Sequence, residues 1–366
     1  MSRRLRVGVV GLGIGFQHLS AFRNLRDLYE VVAVCDPVAA KRELAAGLLG
    51  VPRGVASFGE LVAMDDLDLI DVCTPPDLHR PMVTRALERG FDVICEKPLS
   101  GSLADVDAIA ACEKASGRRL MPIFQYRFGR GAERLRRLLD EGVPGKPYVA
   151  SVETFWRRGA DYYAVAWRGR FDTELGGVCV SHAIHAHDLL QSFLGPVQRV
   201  FAHVDTRVNP IETEDCAVAT LQFRSGALAT LNATLGSVRE FSRLRLSFEH
   251  LSAESSTRPY QPGSEPWTFE AATAEAAAAI DTALGGFEPG PELYEGQFAA
   301  FHRALERGAD PPVTLADARA AIELVTAIYH SSRSGEPVDL PLGAEHPLYG
   351  GWSPRAASGN GGARGT

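Results

Sequence analysis

The sequence predicts an α/β protein in two parts: an N-terminal doubly wound parallel sheet, and a C-terminal α+β part with a large, mainly antiparallel open sheet. Three observations support this prediction. The first third of the chain alternates short, continuous apolar runs with amphipathic stretches, which is typical of buried strands between helices. Beyond residue 125 the runs are longer and alternate apolar with polar residues. The 366 residues also exceed what one ordinary core holds.

The N-terminal strands are predicted from runs rich in valine and isoleucine, which suit a sheet covered on both faces. Regular alternation of such runs with helices is typical of parallel strands joined by crossovers. We therefore place the first domain at residues 1–124. The strands are expected at 5–10, 31–35, 67–73, 92–95 and 120–124, and the helices near 18–28, 38–49, 78–90 and 102–115.

The second domain, at residues 125–345, begins with a basic helix near 131–140. An alanine-rich segment, 270–284, is predicted to be helical, and the glycine-rich tail, 353–366, is predicted to be disordered. The alternating strands are expected at 148–156, 197–205, 216–223, 227–235 and 243–249, and the helices that cover one face of their sheet at 181–194, 293–307 and 314–333.

The composition argues against several classes of function. The net charge is −7 and basic residues form no long run, so binding to nucleic acid has no electrostatic support. No apolar stretch approaches the ~18 residues that span a membrane. A strand-like run begins too early to leave room for a signal peptide. The six cysteines are far apart and form no CxxC pair, which favours reduced thiols and a cytoplasmic protein.

A glycine-rich turn ends the first predicted strand. Gly11, Gly13 and Gly15 form a GxGxG pattern, with Ile14 between the last two glycines. The third glycine comes one residue earlier than in the usual fingerprint. Glycines at such a turn let the backbone approach a pyrophosphate, and the following helix N-terminus offers free N–H groups. The turn therefore predicts a Rossmann dinucleotide site, although three glycines also suit an ordinary strand–helix turn.

An acidic residue at the end of the second strand points to the choice of cofactor. Asp36 follows the glycine-rich turn at the distance where a carboxylate accepts the ribose 2′-hydroxyl of NAD and repels the 2′-phosphate of NADP. We therefore expect NAD rather than NADP. Asp36 could also cap the next helix, and the basic Lys41 and Arg42 could reach a 2′-phosphate.

Polar residues follow two further strands of the predicted sheet. Thr74, Pro75 and His79 follow one strand, and Glu96 and Lys97 follow the next. In open α/β sheets, ligands bind outside the carboxyl ends of the strands. We therefore expect these residues to lie beside the nicotinamide half of the cofactor.

Together these motifs resemble the glucose-fructose oxidoreductase/inositol dehydrogenase (Gfo/Idh/MocA) family over residues 5–340. The matching motifs are the glycine-rich turn with His18, Thr74-Pro75-Pro76 with His79, and Glu96-Lys97-Pro98. The resemblance implies that Lys97, in the most specific of these motifs, contacts the reacting carbinol oxygen and the cofactor. The alternative is a surface lysine in a salt bridge.

A second signature of the family is a glycine pair followed by Asp-x-x-x-His-x-x-Asp at the start of a helix. The corresponding residues are Gly176-Gly177, Ser181, His185 and Asp188. By this resemblance, His185 and Asp188 match the family's His and second Asp, whereas Ser181 replaces the first Asp. In the family, that Asp helps to orient the catalytic group. Its replacement leaves open how the catalytic roles are divided between His185 and Lys97.

Helical periodicity groups the same residues independently of the resemblance. Ser181, His185 and Asp188 are spaced i, i+4, i+7, which puts them on one face of the predicted helix. His182 falls on the neighbouring apolar face, and His187 points roughly opposite. Three histidines in one segment suggest a metal site, but no complete ligand set is evident, and we predict no metal.

Hydride transfer from an alcohol requires a base that takes the hydroxyl proton. A histidine with a pKa near neutrality suits this role in both directions, and a lysine beside the oxygen stabilises developing negative charge. His185 and Lys97 are therefore the predicted catalytic residues. His185 could instead be a structural histidine.

Candidates for substrate binding lie near these motifs. Arg127 follows the last strand of the first sheet, and Tyr163, Trp167 and Arg168 lie in the loop before the glycine pair. A guanidinium there could meet an acidic or polyhydroxy substrate, although each of these residues could equally serve in packing. The other candidates are Ser181, His182 and Asp188.

The sequence therefore predicts an NAD(P)-dependent oxidoreductase that acts on a CH–OH group, and the resemblance implies a sugar, an inositol or a related polyol as substrate. Two other functions stay open: an NAD-dependent glycosidase that oxidises its sugar transiently, and a dinucleotide-binding regulator without catalysis. An exposed apolar sheet face usually marks an interface, so we expect a homodimer or homotetramer joined through the C-terminal sheet.

Overall fold

The computed structural model describes residues 3–354. The predicted tail, 353–366, therefore lies outside the described residues except for Ser353 and Pro354. By its internal contacts the chain divides into two compact units. The first contains the chain up to Ser100, Asp105–Gln125 and Pro291–Arg319, and the second contains Gly101–Ala104, Tyr126–Gly290 and the chain from Ala320 onward.

The first unit is built on a six-stranded sheet in which every strand is parallel to its neighbours. Its strands are β1 (Leu5–Val10), β2 (Tyr29–Cys35), β3 (Arg53–Val55), β4 (Leu69–Val72), β5 (Asp92–Cys95) and β6 (Leu120–Pro122). The order β3-β2-β1-β4-β5-β6 confirms the predicted doubly wound sheet. This order reverses between β1 and β4, which is where ligands bind in sheets of this kind.

Helices follow the strands of this sheet close to the predicted positions, except for the short helix at 58–61, which was not predicted. They are α1 (Gly15–Asn24), α2 (Ala39–Leu49), α3 (Phe58–Leu61), α4 (His79–Glu88) and α5 (Leu103–Ser116). All four residues of β4 are buried, as are the last four of β1. Because successive side chains of a strand point to opposite faces, this burial means that both faces of the sheet are covered.

The second unit is built on an eight-stranded sheet. Its strands are β7 (Pro147–Arg157), β8 (Val197–Asp205), β9 (Cys216–Phe223), β10 (Leu228–Thr234), β11 (Gly236–Phe248), β12 (Leu251–Glu254), β13 (Thr268–Ala271) and β14 (Val338–Asp339). The order is β13-β12-β11-β7-β10-β9-β8-β14. Every neighbouring pair is antiparallel except β7 and β10. The predicted mainly antiparallel sheet is confirmed.

One face of the eight-stranded sheet is buried and the other is exposed. On β9, Ala219 and Leu221 are buried whereas Val218, which points to the opposite face, is 50% exposed. Leu228 on β10 and Val149 on β7 are 54% and 55% exposed. These exposed residues define what we call the open face, which carries apolar side chains as well as polar ones.

The helices that begin in the second unit are α6 (Arg130–Asp140), α7 (Ala160–Tyr163), α8 (Ile184–Leu194) and α9 (Ala274–Leu284). Two of them, α8 and α9, have other bounds than predicted. The predicted helix 181–194 is an α-helix only from Ile184, because a π-helical turn, Val178–His182, precedes it. The predicted helix 270–284 also begins late, because its first two residues still belong to β13 and α9 begins only after Thr273. The Thr273 side chain caps the helix by accepting a hydrogen bond from Ala276 N.

One helix belongs to a different unit from the one predicted. The segment 293–307, which the sequence analysis assigns to the C-terminal sheet, forms α10 (Leu293–Arg307) and packs on α1 in the first unit. Phe298 stacks on Phe22 with 4.5 Å between ring centroids, and its backbone oxygen accepts a hydrogen bond from Tyr29 Oη at 2.7 Å. Aromatic side chains of α1 and β2 therefore provide the surface that this helix covers.

The last long helix, α11 (Leu315–Ser334), falls close to its predicted position, 314–333. Within residues 3–354, no helix combines the length and the apolar character needed to cross a bilayer.

Candidate active site

The glycine-rich turn after β1 has the shape that a pyrophosphate site needs. Gly11 has a φ of +93°, and a Cβ built there would lie 2.5 Å from the backbone oxygen of Cys73, so glycine is required. Apart from Gly13 itself and its two chain neighbours, no described residue has an atom within 4 Å of a Cβ built at Gly13, which leaves open space beside the turn. Helix α1 begins at Gly15, and the apolar Ile14 before it cannot cap the first N–H groups. These features fit a bound dinucleotide.

The carboxylate of Asp36 is fixed at the end of β2, beside the same turn. Its Oδ2 accepts a hydrogen bond from Leu12 N at 2.8 Å, and its Oδ1 accepts one from Val38 N at 2.9 Å. Lys41 Nζ lies 3.4 Å from Oδ2, and Arg42 donates to the backbone oxygen of Asp36 at 2.6 Å. Because each carboxylate oxygen has two lone pairs, Asp36 can tie these backbone groups together and still accept a ribose hydroxyl.

His79 joins the loops that follow β4 and β5. Its ring is fully buried, with Nδ1 2.8 Å from the Pro98 oxygen and Nε2 2.9 Å from the Thr74 oxygen. Burial lowers the pKa of His79 more than the two backbone contacts raise it, so the ring is neutral and donates to one carbonyl. His79 therefore braces the loop that carries Thr74 and Pro75.

A buried network of polar groups lies behind the glycine-rich turn. His18 on α1 is fully buried, with Nδ1 2.9 Å from Asp71 Oδ2 and Nε2 3.1 Å from Glu96 Oε1. Cys73 Sγ lies 3.3 Å from the same Nδ1, and Tyr294 Oη donates to Glu96 Oε1 at 3.1 Å. Because both ring nitrogens face carboxylates, the doubly protonated imidazolium suits this position.

This network reaches the predicted catalytic lysine. Burial lowers the pKa of His18, but its contacts with Asp71 and Cys73 raise it by more, and the resulting pKa is well above the usual value. The imidazolium therefore compensates two buried carboxylates. Glu96 Oε2 in turn accepts a hydrogen bond from the backbone N–H of Lys97 at 3.0 Å. The network thus fixes the backbone from which the Lys97 side chain extends.

Three residues of this network are also close enough to hold a metal ion. Possible ligand atoms of His18, Asp71 and Cys73 all lie within 4.8 Å of one another. The His18 ring already faces a carboxylate from each nitrogen, and a hydrogen-bonded ion pair accounts for the arrangement. Among the described residues, the histidines at 182–187 do not form such a group.

In the second unit, Glu214 fixes the π-helical turn that precedes α8. Its Oε2 and Oε1 accept hydrogen bonds from Gly177 N and Cys179 N, both at 3.0 Å, and its backbone oxygen accepts one from Val178 N at 2.8 Å. Tyr329 Oη donates to Oε2 at 2.7 Å. Burial raises the pKa of Glu214, whereas these donors lower it. One residue therefore satisfies three consecutive N–H groups that a helix start leaves without partners.

The glycine pair and the C-terminal segment complete this arrangement. A Cβ built at Gly177 would lie 1.7 Å from the backbone oxygen of Glu214, so the close approach requires glycine. Trp352 donates from Nε1 to the Leu175 oxygen at 2.5 Å, and its ring lies 5.5 Å from that of Tyr329. Glu214 therefore fixes the backbone at Gly177, and Trp352 fixes the backbone just before the glycine pair, at Leu175.

The π-helical turn corrects the arrangement predicted for Ser181, His185 and Asp188. The shared face assumes 3.6 residues per turn throughout, but Ser181 lies in the π-helical turn and only His185 and Asp188 lie in α8. Ser181 Oγ donates to the Gly176 oxygen at 3.4 Å. The His185 ring packs on the Tyr126 ring with 4.7 Å between centroids.

All three histidines of this segment are buried. The His182 ring lies 5.5 Å from the rings of both Trp156 and Tyr162. Burial lowers the pKa of His187 to about 4, so this side chain is neutral and a weak base near pH 7. His187 therefore belongs to the core.

Arg127 and Asp188 form an ion pair. Nε and Nη2 of Arg127 lie 2.7 and 2.6 Å from the two carboxylate oxygens of Asp188. This is the bidentate geometry in which a guanidinium binds a carboxylate most strongly. The pair ties the segment after β6 to α8, and a substrate contact by either residue stays a prediction.

The loop after β7 carries the other predicted substrate residues. The guanidinium of Arg168 lies 3.8 Å from the centroid of the Tyr162 ring and 4.3 Å from that of Trp167. Glu174 Oε1 lies 3.5 Å from Arg168 Nη1, and Tyr163 is half-buried on the short helix α7. Aromatic and charged contacts therefore order this loop, which leads directly to the glycine pair.

Comparison with known families identifies both parts of the chain. A model described as an oxidoreductase family with an NAD-binding Rossmann fold matches residues 5–124, and a model of the Gfo/Idh/MocA C-terminal domain matches residues 132–254. The chain belongs to the Gfo/Idh/MocA family. It is an NAD(P)-dependent oxidoreductase, as the sequence predicts.

Individual Gfo/Idh/MocA relatives match over most of their length. D-xylose 1-dehydrogenase (NADP+) 2 of Haloferax volcanii is 29% identical over 320 residues, which cover 85% of this chain and 92% of that protein. Myo-inositol 2-dehydrogenase of Thermotoga maritima is 30% identical over 62% of this chain and 68% of that protein. The crystal structure of the WlbA dehydrogenase from Chromobacterium violaceum, in complex with NADH and UDP-GlcNAcA, has a TM-score of 0.82 and 28% identity, and covers 94% of this chain and 98% of that one.

Several residues that fix these motifs within each of the two units were not found from the sequence. Asp71 is an acidic residue inside a buried apolar strand, and that contrast is a signal that could have found it. Tyr294, Glu214 and Tyr329 lie far along the chain from the residues they contact, and no local pattern marks them.

Proposed function

We propose that the protein transfers hydride between a nicotinamide cofactor and a secondary alcohol or ketone of a sugar, an inositol or a related polyol. The observation that carries this proposal is the position of Lys97 at the carboxyl end of β5, with its backbone held by the buried Glu96–His18 network. The substrates named for the xylose and inositol dehydrogenase relatives support the substrate class.

When bound, the nicotinamide accepts or donates the hydride, which no side chain can do. The residues of the chain hold the substrate and move one proton. We assign Lys97 Nζ to the alcohol oxygen, where an ammonium group stabilises negative charge as hydride leaves the carbon. We assign the hydroxyl proton to the imidazole of His185, which accepts it during oxidation and returns it during reduction.

An activity screen tests this proposal. The protein is incubated with NAD or NADP and a panel of sugars and polyols that includes D-xylose and myo-inositol, and the reduced cofactor is followed by absorbance. Net reduction of the cofactor with a free polyol is the expected result. Release of an aglycone from a glycoside without net reduction would indicate a glycosidase instead, and cofactor binding without any turnover would indicate a regulator.

We propose NAD rather than NADP as the preferred cofactor, because the Asp36 carboxylate repels a 2′-phosphate. Fluorescence titration of both cofactors should give the lower Kd for NAD. Asp36→Asn removes the charge but keeps an acceptor, and should reduce the preference by about tenfold, the scale of one such charge interaction. Arg42→Gln instead removes a positive charge that could reach the 2′-phosphate, so this variant should bind NADP more weakly. Equal or tighter binding of NADP by the unmodified protein would contradict the prediction.

We also propose a homodimer or homotetramer joined through the open face of the C-terminal sheet. The exposed apolar residues there, Val218, Leu228 and Val149, are typical of an interface. Light scattering at micromolar concentration should give at least twice the mass of one chain. Leu228→Asp should lower that mass, whereas Leu48→Asp, at a residue 65% exposed on α2, should not. A monomeric unmodified protein would be the contrary result. The cytoplasmic location stays a prediction.

A further inference from the structure

Two arginines of the second unit share one aromatic ring. The guanidinium of Arg168 lies 3.8 Å from the centroid of the Tyr162 ring, and that of Arg158 lies 5.2 Å from the same centroid. Trp156 and Tyr260 also flank Arg158, at 5.3 and 5.5 Å. Stacking on aromatic faces holds a planar guanidinium in place without using its hydrogen-bond donors.

Neither guanidinium is saturated by hydrogen bonds. Every hydrogen bond that either one donates uses Nη1, and the acidic partners are Glu240 for Arg158 and Glu174 for Arg168. Among residues 3–354, Nε and Nη2 of both side chains have no hydrogen-bond partner. Two edges of the guanidinium forks are therefore available to another molecule.

The Arg127–Asp188 pair shows the contrast within the same unit. There, Nε and Nη2 each meet a carboxylate oxygen within 2.7 Å. Arg158 and Arg168 leave the corresponding atoms unused, and their side chains are 15% and 24% exposed. The Arg127 side chain is exposed to a similar extent, 16%, so what distinguishes Arg158 and Arg168 is that their Nε and Nη2 atoms are not used by a carboxylate.

The two arginines lie beside the π-helical turn, Val178–His182, that precedes α8. The rings of Tyr162 and Trp156, on which Arg158 stacks, both lie 5.5 Å from the ring of His182. His182 belongs to the π-helical turn that leads into α8, where His185 is the second residue. A group bound by the arginines would therefore lie close to the start of the helix that carries the proposed base.

Each arginine has one acidic partner, Glu240 for Arg158 and Glu174 for Arg168, yet the two cations are close enough to affect each other. Burial lowers the pKa of Arg168, Glu174 raises it, and the neighbouring Arg158 lowers it. The Glu174 carboxylate also accepts a hydrogen bond from Gly169 N at 2.5 Å, so it is not devoted to Arg168. A shared anionic partner would offset the electrostatic repulsion between these two partly buried cations.

We propose that Arg158 and Arg168 bind an oxyanion of the substrate, a carboxylate or a phosphate, and that the preferred substrate is an anionic sugar. The inference rests on the proposed function, because it describes a further part of the molecule that is oxidised. A guanidinium fork matches both kinds of oxyanion bidentately, so substrate pairs must separate the two.

The unmodified enzyme tests this proposal without any variant. Matched sets are assayed with NAD: D-glucose, D-glucuronate and D-glucose 6-phosphate, and the same three forms of D-galactose. In at least one set, kcat/KM for the carboxylate or the phosphate should exceed that of the neutral sugar by about tenfold or more, the scale of one charge-assisted hydrogen bond. Neutral sugars used as well as, or better than, their charged forms in every set would overturn the proposal.

Variants then assign the effect to the two arginines. Arg158→Gln and Arg168→Gln should each raise KM for the charged substrate about 10- to 100-fold, and leave KM for a neutral sugar within about twofold. Arg168→Lys keeps the charge but loses the fork, so it should restore only part of the affinity. Arg170→Gln, at an exposed arginine of the same loop, is the control and should leave both KM values unchanged. Equal effects on charged and neutral substrates would overturn the assignment.

A binding measurement separates this inference from the proposed function. If no sugar reduces the cofactor, the proposed function fails. Calorimetric titration of the NAD-loaded protein with D-glucuronate and D-glucose 6-phosphate then decides the inference alone. Binding that is lost in Arg168→Gln and kept in Arg170→Gln would support it, and no binding of either probe at millimolar concentration would overturn it.

Discussion

Lys97→Ala is expected to lower kcat by about 10²-fold or more, the scale for loss of a positioned charge-stabilising group. The affinity for NAD should change much less, because we assign most of the cofactor contacts to the glycine-rich turn and Asp36. Folding should be unaffected, since the Lys97 backbone N–H that Glu96 binds is kept in alanine. Steady-state assays with the best substrate, together with cofactor titration and thermal melting, measure the three quantities separately.

The matched control for this variant is Lys114→Ala, at an exposed lysine of α5, which should behave like the unmodified enzyme. His185→Ala should also slow turnover and remove one ionisation from the pH–rate profile, as expected when a general base is lost. A Lys97→Ala enzyme with nearly normal turnover would contradict the proposed mechanism and would favour a cofactor-binding regulator.

Glu214→Ala should cause the largest loss of stability, about 3–5 kcal/mol in the free energy of unfolding. The change leaves Gly177 N, Cys179 N and Tyr329 Oη without their shared acceptor in a fully buried position. Each orphaned buried donor costs about 1–3 kcal/mol. Activity should fall as well, because the turn that carries Ser181 loses its support.

Urea unfolding of this variant is compared with two others. Tyr329→Phe removes one hydroxyl donor and should cost about 1 kcal/mol. Glu212→Ala, at an exposed carboxylate two residues earlier, should leave stability within about 0.5 kcal/mol of the original. If Glu214→Ala were as stable as Glu212→Ala, the turn would be held by its backbone contacts alone.

The parallel sheet could be predicted because its buried strands are continuous apolar runs, which few other structures produce. Strand β3 was missed, since three residues carry too little pattern. Amphipathic periodicity identified 293–307 as a helix but could not say what its apolar face covers, and the structure places it in the first unit. Alternation likewise predicted β7 and β10 but not that they run parallel, because a period of two is the same in both directions.

The candidate site was predictable where it depends on local motifs. The glycine-rich turn and the loop that contains Lys97 follow directly from adjacent residues, and the general location of ligands in such sheets supplies the rest. The shared face predicted for Ser181 and His185 does not hold, since periodicity assumes a regular α-helix and Ser181 lies in a π-helical turn. Glu214 reaches that turn only through tertiary contacts, which a linear pattern does not record.

The return of Pro291–Arg319 to the first unit has a consequence for synthesis on the ribosome. The six strands of the first sheet leave the ribosome long before α10 is made. Until then, the nascent chain exposes the aromatic surface of Phe22 and Tyr29 that Phe298 will cover. Chaperones that recognise exposed apolar surface would meet the chain at this stage. A gene fragment that ends at residue 124 would encode a nucleotide-binding unit that lacks this cover.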